Sequence, residues 1–243
     1  FDSYASRIGK GTYAALVRAK CFHYRFKWFL KLDFRKYFDS LDHGILKKQL
    51  NFLFKDPKLL QLFEKIIDSY SLRQNKGVPI GNLTSQYFAN HYVAGLDHYI
   101  KEVLKIRAYV RYMDDMVLWH NRKGILIKAG LQLKAYAENN LKLTLKPFCL
   151  NRNEHGLPFL GYLLYPGKIR LTHRSRTRFI RKLNKYDNFL RSGIWTQKEY
   201  QDHVFPLIAF TEYANALEFR KKIIFNLNLQ GINRGFEPCF ARR

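Results

Sequence analysis

The chain has 243 residues, 47% apolar and 16% aromatic, enough to bury a core and too apolar for a disordered chain. It carries 43 Lys and Arg against 19 Asp and Glu, a net charge of +24; self-repulsion on that scale calls for an anionic partner, of which nucleic acid is the commonest. The longest apolar stretch, Val204 to Phe210, falls far short of the ~20 residues of a bilayer span, so no membrane segment is expected, and charge spread along the chain argues against an anionic membrane as the partner.

Residue 1 is Phe, so the natural N-terminus, with any targeting signal, is expected to lie upstream. Residues 1–27 are polar and basic, with Gly9 and Gly11 flanking Lys10. Trp28 to Asp33 reads as a short buried strand ending on an acid. Asp39 or Ser40 is placed to cap a helix over about 43–54, with Asp42 a further cap candidate. Leu59, Leu62, Phe63, Ile66 and Ile67 recur at helical spacing. Gly77-Val-Pro-Ile-Gly81 is a turn-rich loop, and a helix over about 83–105 comes next, with Asp97 expected on its surface. Ala108 to Leu118 reads as a hairpin with two aspartates at its turn. Ile125 to Asn139 is helical, Leu141 to Leu145 alternates like a strand, and Pro158 to Pro166 is an aromatic-rich hairpin. From about 172 the chain turns basic and helical, and Thr196-x-x-Glu199 matches a capping box. A boundary is expected near 170. The three cysteines, Cys21, Cys149 and Cys239, are scattered, which fits a reducing cytoplasm and neither a disulfide framework nor a zinc site.

The chemistry gathers on two segments, Leu30-Lys-Leu-Asp33 and Tyr112-Met-Asp114-Asp115. An acid at the end of an apolar strand is costly to bury unless paired or metal-bound. Adjacent acids at a turn repel each other, and a divalent cation removes that penalty. Nucleotidyl transfer needs carboxylates of this kind, because two Mg²⁺ ions hold the attacking 3′-hydroxyl and the leaving pyrophosphate. Read singly, an Asp-Asp pair is a solvated turn and Asp33 a helix cap or a surface ion pair. Phe38, read alone, is a core ring.

Tyr112-Met-Asp-Asp115 resembles the signature tetrapeptide of reverse transcriptases. Leu30-Lys-Leu-Asp33 with Phe38 resembles their first palm motif, and Gly77-Val-Pro-Ile-Gly81-Asn-Leu-Thr-Ser85-Gln86 their loop and helix beneath the incoming nucleotide. Pro158-Phe-Leu-Gly161-Tyr-Leu-Leu-Tyr-Pro166 is similar to the primer-grip hairpin, and Ser3-Tyr-Ala-Ser-Arg7-Ile-Gly-Lys-Gly11 to a finger motif of bacterial members. Their order along 1–166 is the family's. The resemblance implies an α+β right-hand polymerase: partial fingers at 1–27, a palm with remaining fingers elements and the primer-grip hairpin at 28–170, and a helical basic thumb at 171–243.

By the same resemblance Asp33, Asp114 and Asp115 are catalytic, and together with the Phe34 carbonyl they hold two Mg²⁺ ions, for which Mn²⁺ can substitute. Arg7, Lys10, Phe38, Ile80 and Gly81 meet the nucleotide, with Phe38 excluding a ribose 2′-hydroxyl. Ser85, Gln86, Tyr112, Met113, Leu160, Gly161 and Tyr162 meet primer or template. The implied partners are an RNA template, a DNA or RNA primer, the RNA–DNA hybrid and deoxynucleoside triphosphates, with room for a small basic accessory protein. The basic run Arg170 to Arg191 would grip phosphates. Most of the family has Gln-Gly at Ile80-Gly81 and Ser-Pro at Ser85-Gln86; Ile-Gly-x-x-x-Ser-Gln is typical of the error-prone enzymes of diversity-generating retroelements, in bacteria or phage-infected cells. Group II intron and retron enzymes are the near alternatives, and a non-catalytic maturase-like RNA binder the distant one. Met113 and Phe38 argue against an RNA-dependent RNA polymerase. The family often has a lysine near Leu145 that can protonate pyrophosphate, and Lys146 stands there, followed by Pro147-Phe-Cys149 where basic residues are more usual.

Overall fold

The computed structural model describes residues 2–70, 75–79 and 81–231, the last five as backbone only. The chain packs as two units, Phe1–His155 and Gly156–Arg243. The boundary expected near 170 differs from this division by a small sheet that packs with the helices C-terminal to it.

The first unit is built on a four-stranded antiparallel sheet in the order β2-β3-β1-β4: β1 is Trp28–Leu32, β2 Tyr109–Tyr112, β3 Asp115–His120 and β4 Cys149–Arg152. Period-2 alternation sends successive residues to opposite faces. Phe29 and Trp119, paired across β1 and β3, face helix α1 (Thr12–Arg25), whose Phe22 lies 5.6 Å from the Trp119 ring and whose His23 lies 5.8 Å from Phe29. Their neighbours Leu30 and Leu118 face the other way, into a core shared with α2 (His43–Leu53), α3 (Pro57–Asp68), α4 (Leu83–Tyr92), α5 (Ala94–His98) and α6 (Lys123–Leu141). Ser3 pairs in parallel with Arg111 of β2.

Local chemistry explains most ends. Asp42 caps α2 by accepting from the Ile45 N–H at 3.1 Å, whereas Ser40 is spent in a 3₁₀ turn over Phe38–Ser40, so neither Asp39 nor Ser40 is the cap. The helix expected over 83–105 is broken into α4, α5 and a π-helical turn over Tyr99–Val103. Leu141 to Leu145 is not a strand. Lys142 takes the left-handed conformation that ends α6, and the buried Leu143 and Leu145 belong to an extended segment that touches a strand partner through a single bridge, from Leu145 to Phe34, among the described residues. Alternating burial without a ladder produced the strand-like pattern.

The second unit opens with a three-stranded antiparallel sheet, β5 (Leu157–Phe159), β6 (Tyr162–Tyr165) and β7 (Lys168–Leu171). Three helices come after it: α7 (His173–Arg191), α8 (Gln197–Glu212) and α9 (Leu217–Gly231). Thr172 caps α7, and Thr196 with Glu199 forms the expected capping box on α8. Phe179, Leu183 and Val204 centre the core of this unit. Among the described residues, no helix is long and apolar enough to cross a membrane.

Candidate active site

The β2–β3 hairpin closes on the pair Tyr112↔Asp115, leaving Met113 and Asp114 as a two-residue loop. Met113 sits at φ 56°, a region a non-glycine side chain enters at a cost of roughly 1–2 kcal/mol. Because Leu32 pairs with Met116, Asp33 follows β1 directly beside this loop. The two carboxyls act on each other: the Asp114 pKa is raised, first by burial and then by the Asp33 charge. Burial pushes Asp115 up to about 6, against the pull of Lys31 and with the push of Asp33 and Asp114.

Two lysines supply counter-charge. Lys31, on the strand that leads into Asp33, reaches Asp115 Oδ2 at 3.1 Å. Lys146 forms an ion pair with Asp33, which raises the lysine pKa. Asp115 Oδ1 is buried with no hydrogen-bond partner among the described residues. The carboxylates converge only in part: among the described residues no three His, Cys, Asp or Glu side chains are gathered as a ready metal cage. The bonds flanking Phe34, from Lys146 N–H to the Asp33 carbonyl at 2.8 Å and from Arg35 N–H to the Thr144 carbonyl at 2.9 Å, make it a non-bonded position on that side. Its own carbonyl therefore points to the hairpin side of the strand. The Phe34 side chain is buried and stacks on Tyr37.

The other motifs assemble around this centre. The Phe38 carbonyl accepts from the Val78 N–H at 3.0 Å, and Leu41 from Gly77 at 2.8 Å, so the Gly77–Pro79 loop is strapped to the turn that carries the Phe38 ring. Gly81 is exposed at φ 96°, and Ile80 lies outside the described residues. Gln86 Oε1 accepts from Ser6 Oγ at 3.2 Å and Tyr112 Oη from Thr12 Oγ1 at 3.1 Å, which ties residues 6–12 to α4 and the hairpin. Arg7 and Lys10 are exposed; Arg7 donates to Ser3 Oγ at 2.9 Å and Lys10 lies over the Tyr4 ring at 4.7 Å.

Three expectations need correction. Ser85 is 1% exposed and its hydroxyl points into the core, unpartnered among the described residues, so it cannot touch primer or template as placed. Tyr162 is fully buried, with its ring 4.7 Å from Phe210 and its hydroxyl donating to the Phe210 carbonyl at 2.6 Å; it is core, and in that hairpin tip the half-buried Leu160 and the Gly161 backbone are what remain near a surface. Asp97 is no surface acid but the buried partner of Arg111 at 2.6 Å. That last pairing had a visible signal: an arginine in the apolar strand Tyr109-Val-Arg-Tyr demands a buried counter-charge. Lys31 had one too, since period 2 puts it on the face of Asp33.

The family described as reverse transcriptase (RNA-dependent DNA polymerase) matches residues 2–164. A putative COX1/OXI3 intron 2 protein of Saccharomyces cerevisiae is 26% identical over 108 residues, 42% of this chain and 13% of that protein. An uncharacterized 91 kDa protein in a cob intron of Schizosaccharomyces pombe is 29% identical over 110 residues, again 42% of this chain and 13% of that protein. Among solved structures, apo telomerase from Candida tropicalis superposes with a TM-score of 0.57 at 12% identity, covering 93% of this chain and 50% of that one. The same telomerase with a fragment of telomeric RNA gives 0.58 at 12% identity, covering 97% and 44%. At that identity the likeness speaks for the α+β right-hand polymerase fold alone. The chain spans about an eighth of the length of the curated relatives it matches. With two thirds of its length matched by one family and that family's paired acids at the turn of its central hairpin, the chain belongs to the reverse transcriptases.

Proposed function

We propose that this chain is the catalytic core of an enzyme that copies an RNA template into DNA, extending a DNA or RNA primer with deoxynucleoside triphosphates. The observation that carries the reading is the strand register that sets Asp33 beside the Asp114–Asp115 turn, where the buried Asp115 Oδ1 has no partner among the described residues. A buried, charged and unpartnered oxygen is costly, and a hard divalent cation is the ligand its chemistry suits. Asp33, Asp114, Asp115 and the Phe34 carbonyl are the oxygen donors that would hold such an ion, the acids closing the remaining gap around it. Two Mg²⁺ ions, or Mn²⁺ in their place, would supply activation of the 3′-hydroxyl and charge neutralisation at the pyrophosphate. The chain's own residues do the rest. In this reading Lys146, exposed and paired with Asp33, would give a proton to the leaving group, Phe38 would bar a 2′-hydroxyl, and Arg7 and Lys10 would hold triphosphate oxygens. Residues 1–27 read as partial fingers, 28–170 as palm and 171–243 as thumb. The scattered cysteines favour a reducing compartment such as cytoplasm.

The test is primer extension by the full-length protein on a primed RNA template with Mg²⁺ and labelled deoxynucleotides. Asp114→Asn should abolish extension and leave RNA affinity within about twofold, because Lys and Arg carry binding. Equal loss of both would make the acid structural.

Within the family, Ile80-Gly81 with Ser85-Gln86 supports the error-prone enzyme of a diversity-generating retroelement. A second reading, an intron-encoded reverse transcriptase, is favoured by the two fungal intron proteins among the relatives. Isoleucine cannot hydrogen-bond near a new base pair as glutamine can. Sequencing products of wild type and Ile80→Gln on an adenine-rich template separates the readings: high adenine errors in wild type that fall severalfold in the variant support the first, and low errors in both support the second.

A further inference from the structure

Arg111 lies in the middle of β2, and its side chain is 1% exposed. Every N–H of its guanidinium has an acceptor. Nε and Nη2 donate to the two oxygens of Asp97 at 2.8 and 2.6 Å. Nη2 also donates to the Asn90 carbonyl at 3.3 Å. Nη1 donates to Asn90 Oδ1 at 2.8 Å and to the Met113 carbonyl at 3.0 Å. Five donors thus meet five acceptors, which exhausts the group. Asp97 is completed by the Tyr109 hydroxyl at 2.6 Å.

A buried ion pair is a weak reason for stability, since a well-packed apolar pair often does as well. What an apolar pair could not supply is the bond to Met113. That carbonyl belongs to the left-handed residue of the hairpin loop, directly before Asp114. A charge-assisted hydrogen bond is of the size needed to offset left-handed strain. With Asp97 and Asn90 gripping the other faces of the guanidinium, its remaining donor has one direction only.

We propose that Arg111 is a positioning residue: clamped by Asp97 and Asn90, it fixes the Met113–Asp114 loop and so the place of the Asp114 carboxylate in the reaction described above. The proposal rests on the polymerase reading for its catalytic consequence, but the clamp itself can be measured without activity.

The experiment compares full-length wild type, Arg111→Lys, Asn90→Ser and Tyr109→Phe. Lysine keeps the charge against Asp97 and loses the fork; serine frees one side of Nη1; phenylalanine removes a bond to Asp97 and leaves the guanidinium untouched. Hydrogen exchange is followed in the segment 109–117 and in 149–152, and kcat and KM for deoxynucleotide in primer extension. Arg111→Lys and Asn90→Ser should speed exchange in 109–117 and not in 149–152. They should cost about 10- to 100-fold in kcat, the scale of a displaced catalytic group, with KM within about twofold. Tyr109→Phe should change kcat by less than about twofold. If Arg111→Lys does not fold, Asn90→Ser decides by the same measurements. Unchanged exchange in 109–117, or a rise spread equally over both segments, overturns the clamp. Selective exchange with an inactive wild type upholds the clamp and sinks the polymerase reading instead.

Discussion

Asp115 holds its charge at a loss. Its folded pKa of about 6 stands above the ordinary 3.8 because burial outweighs the attraction of Lys31. The folded chain therefore binds the proton more tightly than the unfolded one. The stability tied to that proton is complete below 3.8 and is lost as pH rises through about 6, a cost of up to about 3 kcal/mol at pH 7.5. Asp115→Asn should then raise unfolding free energy by about 1–3 kcal/mol at pH 7.5 and hardly at pH 4, while extinguishing extension. Urea melts at the two pH values check this, and a variant less stable at pH 7.5 contradicts it. Phe38 offers a complementary case. Its ring is half-buried and set edge-on to Tyr37 at 5.6 Å, so Phe38→Ala should admit ribonucleotides, seen as at least a roughly tenfold gain in ribonucleotide over deoxynucleotide insertion, and should lose about 1–3 kcal/mol of stability. Unchanged discrimination would leave Phe38 a core residue. The three aspartates and Phe38 could be singled out because their flanking residues form contiguous motifs. The pairings of Lys31, Asn90 and Asp97 were harder to read, since their partners stand 84, 21 and 14 residues away; the local signals, an arginine inside an apolar strand and a lysine on the face of Asp33, show that a partner is needed and not which residue supplies it.

At the scale of elements, the β5–β6 hairpin is tightest at its tip. Leu160 and Gly161 both take positive φ, 50° and 87°, as a two-residue primed turn requires. The Gly161 carbonyl accepts from Ser175 Oγ at 2.7 Å, and a Cβ on Gly161 would stand 3.0 Å from that oxygen and 3.1 Å from Phe210. Gly161→Ala should therefore destabilise the second unit by about 1–3 kcal/mol through strain and overpacking. Hydrogen exchange around Phe210 during a thermal ramp would show this as a lower midpoint for that unit; an unshifted midpoint would show that the tip is loosely held. Helix α2 was readable to within a few residues, and the start of α8 from its capping box. β4 and β7 were missed. Each is four residues long; β4 has no fully buried residue, and β7 alternates over too few residues to rise above its flanks.

At the scale of the whole chain, the charge of +24 is the dominant quantity. On α7 the side chains of Arg174, Arg181, Lys182 and Lys185 are exposed cations. If they bind phosphates, Arg181→Gln with Lys182→Gln should flatten the slope of log affinity against log salt by about 1–2 and weaken binding equally for unrelated sequences. A loss confined to one sequence, or an unchanged slope, would place the nucleic-acid contact elsewhere. Composition points to a class of partner, but which cations would face it depends on helix orientation, and that is set by the buried Phe179 and Leu183.

The pairing of Ser3 with Arg111 has a consequence for how the protein keeps to itself. β2 is a border strand of its sheet. The Arg111 N–H donates to the Asp2 carbonyl and the Tyr4 N–H to the Arg111 carbonyl, both at 2.9 Å, so a short length of the chain's own backbone seals that border. Deleting residues 1–4 would bare the N–H and the carbonyl of Arg111 beside the buried Tyr109 and Val110, and an unsealed border is a template for adding another strand. The shortened protein should gather into concentration-dependent oligomers in sedimentation runs under conditions where the chain that keeps these residues does so less; equal behaviour of the two would show that the border needs no seal.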